Sequence, residues 1–168
     1  MSNLNPGLSE RFLNLKDKRP IEVWEELWQE EKTPWDRGVH NPALEDALEE
    51  KSDILGNAII KIEGGGKRRK KALVPGCGRG VDCFLLASFG YDAYGLEYST
   101  TALEECQKEA EKYGDLVKPR DEEIGSGKVA FLQGDFFKSD WVEKAGLEES
   151  CFDLIYDYTV SCLRDYED

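Results

Sequence analysis

No stretch of this 168-residue chain approaches the ~20 consecutive apolar residues that a membrane span needs, and the polar start MSNLNPGLSE lacks the apolar core of a secretory signal. The expected compartment is therefore the cytoplasm, with no membrane partner. Histidine is nearly missing, with His40 alone, and the five cysteines (77, 83, 106, 151 and 162) form no C-x-x-C pair. A structural zinc site needs four ligands at close spacing, so no metal is expected. An odd cysteine count without a signal segment predicts reduced thiols, and Cys83 and Cys106 fall among apolar helical positions as small core residues. Positive charge is scarce as well. Twenty-two Lys and Arg against 35 Asp and Glu leave a net charge of −13, which repels nucleic acid over most of the surface. The exception, KRRKK at 67–71, follows EGGG and reads as a solvated loop with no assigned function.

What is present is enough apolar material for one packed domain, at 40% hydrophobic residues and 11% aromatics. Pro20 opens PIEVWEELWQEE, where Ile21, Trp24, Leu27 and Trp28 recur at helical spacing between glutamates, so this is an amphipathic helix. KTPWDRG breaks it. Asn41 and Pro42 then form a cap and first-turn pair for a second short helix, ALEDALEE. Glycines 64–66 close this region, which gives an expected N-terminal helical segment over 1–66 and a second unit over 67–168.

From residue 67 the period changes. KALVPG, DAYGLEYS, VAFLQGDFF and FDLIYDY read as strands. VDCFLLASFG, TTALEECQKEAEKYG and KSDWVEKAG alternate with them as helices, and DLVKPRDEEIGSGK is a polar loop. Strand and helix alternating in this way predict an α/β fold, a Rossmann-like parallel sheet with right-handed crossovers and helices on both faces. In such a sheet ligands sit beyond the carboxyl ends of the strands, beside the first one. LVPGCGRG lies there. Gly76 and Gly78, around Cys77, let backbone approach a ligand, and the helix behind them offers free amides. Glu97 ends the second strand, twenty-one residues after Gly76, where an acid accepts both hydroxyls of a ribose. Asp135 and Phe136 end the third, where an acid can take an adenine amino group while the ring covers the base. A solvated strand-end glutamate and a helix-capping aspartate are the plain alternatives.

Dinucleotide sites favour G-x-G-x-x-G, whose third glycine admits a pyrophosphate. Here the glycines fall at 76, 78 and 80, and Val81 stands where that third glycine would be. This spacing fits S-adenosylmethionine, with its short amino-acid tail, better than a nicotinamide dinucleotide.

LVPGCGRGVDCFLLASFGYDAYGLEYS, followed by GDFF and FDLIYDYT, with WEELWQEEKTPWDRG upstream, resembles the thiopurine methyltransferase family, and especially its plant and fungal thiol and halide methyltransferase members. The resemblance runs over about residues 20–160. It implies a methyltransferase that takes a methyl group from S-adenosylmethionine, leaves S-adenosylhomocysteine, and passes the methyl to a small thiol or halide. It further implies that Trp24, Trp28 and Trp35 fold over the cofactor, although core packing of an amphipathic helix explains the same residues. Glu97 becomes the ribose acid, Tyr98 its neighbour beside the adenine, and Asp135 with Phe136 the adenine clamp. Tyr156, Asp157 and Tyr158 fall where methyl and acceptor would meet, with Asp157 or Tyr158 accepting a proton or orienting the acceptor.

A fold of this family has about seven strands, whereas this chain stops ten residues after the fourth, as VSCLRDYED follows YDYT. The expectation is a C-terminally truncated member carrying the first four strands. Its fourth strand is an open edge, which predicts a homodimer through that strand or a complex with a related methyltransferase chain. A truncated, non-catalytic remnant that binds the cofactor or a partner is the competing expectation.

Overall fold

The computed structural model describes residues 6–15, 18–114, 117–158 and 160. Cys162 and the rest of the tail after Val160 lie outside them. The N-terminal part is α1 (Pro6–Leu13), α2 (Pro20–Gln29), α3 (Pro42–Glu50) and the single turn α4 (Ser52–Leu55). A hairpin of β1 (Ile59–Lys61) and β2 (Lys67–Arg69) follows. The remainder is β3 (Lys71–Pro75), α5 (Val81–Ser88), β4 (Asp92–Glu97), α6 (Thr100–Tyr113), β5 (Val129–Gln133), α7 (Asp140–Lys144) and β6 (Leu154–Ile155).

The helix starts follow from their capping residues. Asn41 accepts the Ala43 N–H at 3.0 Å and Pro42 supplies the fixed φ of a first turn. Ser99 accepts the Ala102 N–H at 2.9 Å to open α6. At α2, Glu22 reaches back to the Arg19 N–H at 3.2 Å.

β3 to β6 form one parallel sheet in the order β5-β4-β3-β6, so the first strand lies inside and the direction of winding reverses beside it. Side chains alternate across it. Ala72, Val74, Ala93 and Phe131 face α5 and the α3 leucines 44 and 48, whereas Leu73, Tyr94, Leu96 and Leu132 face Trp141 of α7 and Phe152. Cys83 and Cys106 are fully buried. α1 and α2 build a smaller core of Leu8, Val23 and Leu27, joined by Phe12, Trp24 and Trp35.

Two local expectations are corrected. KRRKK is not a solvated loop: Lys67, Arg68 and Arg69 form β2, and the chain turns through Gly64 and Gly65 to pair it with β1. Arg69 donates to the carbonyls of Gly90, Ile124 and Gly125, Lys70 to that of Leu55, and Arg68 to both oxygens of Asp153. A basic run becomes structural here because loop carbonyls and one carboxylate converge on it. The fourth strand is also shorter than FDLIYDY. Leu154 and Ile155 form the ladder, flanked by the Asp153 N–H on the Lys71 carbonyl, the Lys71 N–H on the Asp153 carboxylate and the Tyr156 N–H on the Leu73 carbonyl. Among the described residues β6 pairs with β3 alone, and Ile155 is exposed.

Gly80, the residue before α5, has φ of +80°, and an added Cβ would stand 2.3 Å from the Phe131 ring. Gly80→Ala therefore combines left-handed strain with overpacking and should cost about 2 kcal/mol or more in a urea unfolding series. An unchanged midpoint would mean that the turn moves freely.

Candidate functional site

β3 ends at Pro75 and the chain turns through Gly76, Cys77, Gly78, Arg79 and Gly80 before α5. The three glycines all have positive φ. A Cβ added at Gly78 would make ordinary contact with Trp28 Cζ2 at 3.4 Å, so the turn lies directly against α2. An added Cβ on Gly76 would strike Val160 at 2.3 Å, so the segment after β6 crosses the same turn.

Glu97 is the centre of this rim. Its side chain is buried, with Oε2 accepting the Gly78 N–H at 2.9 Å and Oε1 accepting the Ser99 N–H at 2.9 Å. Each oxygen keeps a lone pair for a further donor. Burial pushes the Glu97 carboxyl above the usual range, and nearby Glu25 adds to this, against the pull of the Ser99, Gly78 and Tyr98 N–H groups. The neighbouring strand ends are tied in by backbone, Cys77 N–H to Leu96 O and Gly134 N–H to Glu97 O. Asp135, also buried, follows directly and accepts the Phe137 N–H at 3.1 Å. Gly76, Gly78, Glu97 and Asp135 thus lie along one carboxyl rim.

Tyr98 joins Asp135 through a residue that the sequence reading missed. Arg19 donates to the Tyr98 hydroxyl at 3.0 Å, approaches Asp135 Oδ2 at 3.5 Å and lies 5.7 Å from the Tyr98 ring centroid. Phe136 packs toward Trp141 and Leu96. Of the three tryptophans, Trp28 reaches the glycine turn. Trp24 packs between Phe12 and Trp35, at centroid distances of 4.9 and 4.7 Å, half-buried against the small N-terminal core.

Beyond β3 and β6 a second polar group forms. Asp82, in the first turn of α5, accepts the Asn41 N–H at 2.7 Å. Burial raises its carboxyl, opposed by that N–H and by His40. Burial also pushes the Tyr156 phenol up to about 12, with the Asp82 charge adding and Asn41 opposing. Asp157 accepts the Val160 N–H at 2.8 Å, and Tyr158 is exposed.

Beneath the turn, Cys106 Sγ donates to the Gly78 carbonyl at 2.9 Å and lies 4.0 Å from Cys77 Sγ. Contact with Cys77, and then burial, raises the Cys106 thiol. The Cys106 contact lowers Cys77, but Cys83 and burial outweigh it and raise that thiol well above its ordinary value. These are protonated packing groups rather than nucleophiles. Among the described residues no group of three or more His, Cys, Asp or Glu could hold a metal, and no helix is long and apolar enough to cross a membrane.

An inner first strand, a glycine turn against the following helix, and acids ending the next two strands define a Rossmann-like methyltransferase fold. A solved structure from work on the conversion of a disulfide bond into a thioacetal group during echinomycin biosynthesis matches it with a TM-score of 0.55 at 26% identity, over 83% of this chain and 46% of that one. The family model of thiopurine S-methyltransferase matches residues 20–165, and the chain belongs to that family. It is 33% identical to a probable thiol methyltransferase 2 of Arabidopsis thaliana, over 90% of this chain and 53% of that protein. It is 34% identical to thiocyanate methyltransferase 1 of Brassica oleracea, over 83% and 48%. This chain spans about half the length of the curated relatives it matches.

The buried Glu97 gives a pH test. Its folded value lies above the unfolded ~4.3, so the folded state binds the extra proton and stability falls as pH rises from there through the folded value. Against Glu97→Gln, the wild type should lose ground over that interval and then level off in urea midpoints. A difference that does not vary with pH would show that the carboxyl is unshifted.

Proposed function

We propose that this chain binds S-adenosylmethionine at the rim of Gly76–Gly78, Glu97 and Asp135 and transfers its methyl group to a small acceptor, a thiol or a halide. The observation that carries this reading is the Glu97 carboxylate, buried at a strand end yet pinned to the glycine turn with lone pairs to spare. A cofactor with a vicinal diol fits that donor-hungry group. The acid at Asp135 fits an amino group, and the acidic surface fits a cation. When bound, the cofactor supplies a methyl group activated on a sulfonium.

The chain's own residues then have limited work. Glu97 accepts hydroxyls and Asp135 an amino proton, while Tyr98 and Phe136 flank the base. Cys77 and Gly78 offer backbone at the turn. Trp28 covers the turn against water, with Trp35 and Trp24 behind it. A thiolate or halide needs no base, so Asp157 and Tyr158 orient the acceptor beside Tyr156. Holding two reactants in line can supply ~7–11 kcal/mol of barrier reduction without a protein nucleophile.

Calorimetric titration with S-adenosylhomocysteine, followed by a methyl-transfer assay on small thiols and iodide, tests this. The wild type should bind and turn over. Asp135→Asn, which keeps an acceptor for Phe137 N–H, should bind about tenfold or more weakly. Absence of binding, or preference for a nicotinamide dinucleotide, would reject the reading.

A second reading is favoured by β6, whose outer edge has no strand beside it among the described residues and which carries the exposed Ile155, near the exposed Tyr158 in the chain. Here the chain binds the cofactor without turnover and pairs with a second copy, or a related methyltransferase chain, through β6. Light scattering at micromolar concentration should then give a dimer, dispersed by Ile155→Lys. A monodisperse wild-type monomer argues against pairing.

A further inference from the structure

Arg79 is the one side chain that leaves the glycine turn between Gly78 and Gly80, and it does not point to solvent. Its Nε and Nη2 both donate to Asp36 Oδ2, at 2.9 and 2.7 Å. Its Nη1 donates to Glu105 Oε2 at 2.7 Å and stands 3.6 Å from Glu109 Oε1. The guanidinium also lies 5.9 Å from the Trp28 ring centroid. One cation therefore gathers three carboxylates, with the Asp36 side chain only 9% exposed. Lys108 gives Glu105 a second partner, at 2.6 Å.

The three carboxylates belong to two bodies. Glu105 and Glu109 project from α6, which is part of the sheet domain. Asp36 belongs to the loop after α2, and its other oxygen accepts the Gly38 N–H at 3.1 Å, which fixes the turn that carries Trp35. Trp35 stands edge-on to Trp28 at 6.4 Å, and Trp28 closes the circuit on Gly78. The same Gly78 gives its N–H to Glu97. A second tie, Glu25 accepting the Thr101 hydroxyl at 2.9 Å, joins α2 to the start of α6 farther along.

We infer that Arg79 is a positioning residue whose fork on Asp36 latches the N-terminal segment, with Trp28 and Trp35, onto the glycine turn, and that release of this latch sets how fast a nucleoside ligand leaves. This rests on the cofactor reading above. Opening the Arg79–Asp36 pair removes Trp28 from above the turn and frees the backbone that orients Glu97, so a single event loosens both walls of the site. Opening it leaves Arg79 paired with Glu105 and Glu109 but strips the mostly buried Asp36 carboxylate of both guanidinium hydrogen bonds, so the open form is resisted by the loss of that charge-assisted fork.

The variant to make is Asp36→Asn. Its amide keeps an acceptor for the Gly38 N–H but presents a second donor or a neutral oxygen to Arg79. Stopped-flow tryptophan fluorescence should show S-adenosylhomocysteine leaving about tenfold faster, equivalent to ~1.4 kcal/mol, with a smaller change in the association rate. Arg79→Lys, which keeps the charge but loses the fork, should fall between wild type and Asp36→Asn. Glu105→Gln neutralises one of the two α6 carboxylates, leaves Glu109 and the Asp36 fork in place, and should change dissociation less than about twofold. Hydrogen exchange on the ligand-free chain supplies a readout that needs no cofactor. Amides of residues 24–38 should exchange faster in Asp36→Asn, while β3 and β4 stay protected. Unchanged dissociation and exchange in Asp36→Asn overturns the latch, as does a Glu105→Gln effect equal to it. If the wild type binds no S-adenosylhomocysteine, the cofactor reading fails by itself and the exchange result still judges the latch.

Discussion

The arrangement at the sheet rim depends on a carboxylate kept out of water by backbone N–H groups. Glu97 could not stay ionised at the end of β4 without partners, and it finds them in Gly78 on the first turn and Ser99 at the start of α6. Those two bonds join the crossovers on either side of β4. They also fix the direction from which any donor can still reach the carboxylate. Burial and hydrogen bonding pull its protonation in opposite directions.

A second layer of organisation is ionic and lies outside the sheet. α2 carries apolar residues for a small core of its own with α1, yet polar contacts join it to the larger domain: Arg19 to Tyr98 and Asp135, Glu25 to Thr101, and Arg79 to Asp36. A segment attached in this way is easier to lift than one attached by a continuous apolar face, because water and salt replace what is lost. For a domain with a ligand beneath that segment, such an attachment suits exchange better than permanence.

Much of the sheet domain was legible because its signals are local and periodic. KALVP, DAYGLE and VAFLQ are apolar runs of strand length, and the helices between them carry their own caps and terminal glycines. The carboxyl rim followed from the rule for parallel sheets once the glycine turn was located. What remained hidden was set by tertiary partners. A short basic run gives no hint that Arg69 will meet three carbonyls, so KRRKK reads as a solvated loop although Lys67–Arg69 form β2. Trp24 and Trp28 look alike on a helical wheel, and only their tertiary partners separate them: half-buried Trp24 packs against Phe12 and Trp35, while buried Trp28 reaches Gly78. Arg19 and Arg79 stand next to readable motifs, and Arg19 meets Glu22 locally, but Asp135, Asp36 and Glu105 are tens of residues away in the chain. Their roles depend on long-range pairing that no spacing encodes.

The Arg69 contacts have a consequence for how motion is shared through the molecule. Its guanidinium gathers the carbonyls of Gly90, just before β4, and of Ile124 and Gly125, just before β5. The amino-terminal ends of adjacent strands are thereby moored to one arm of a hairpin, on the side of the sheet away from Glu97. With that floor held like a keel, local opening costs least at the opposite end, where the loops can shift while the strands beneath them keep their alignment.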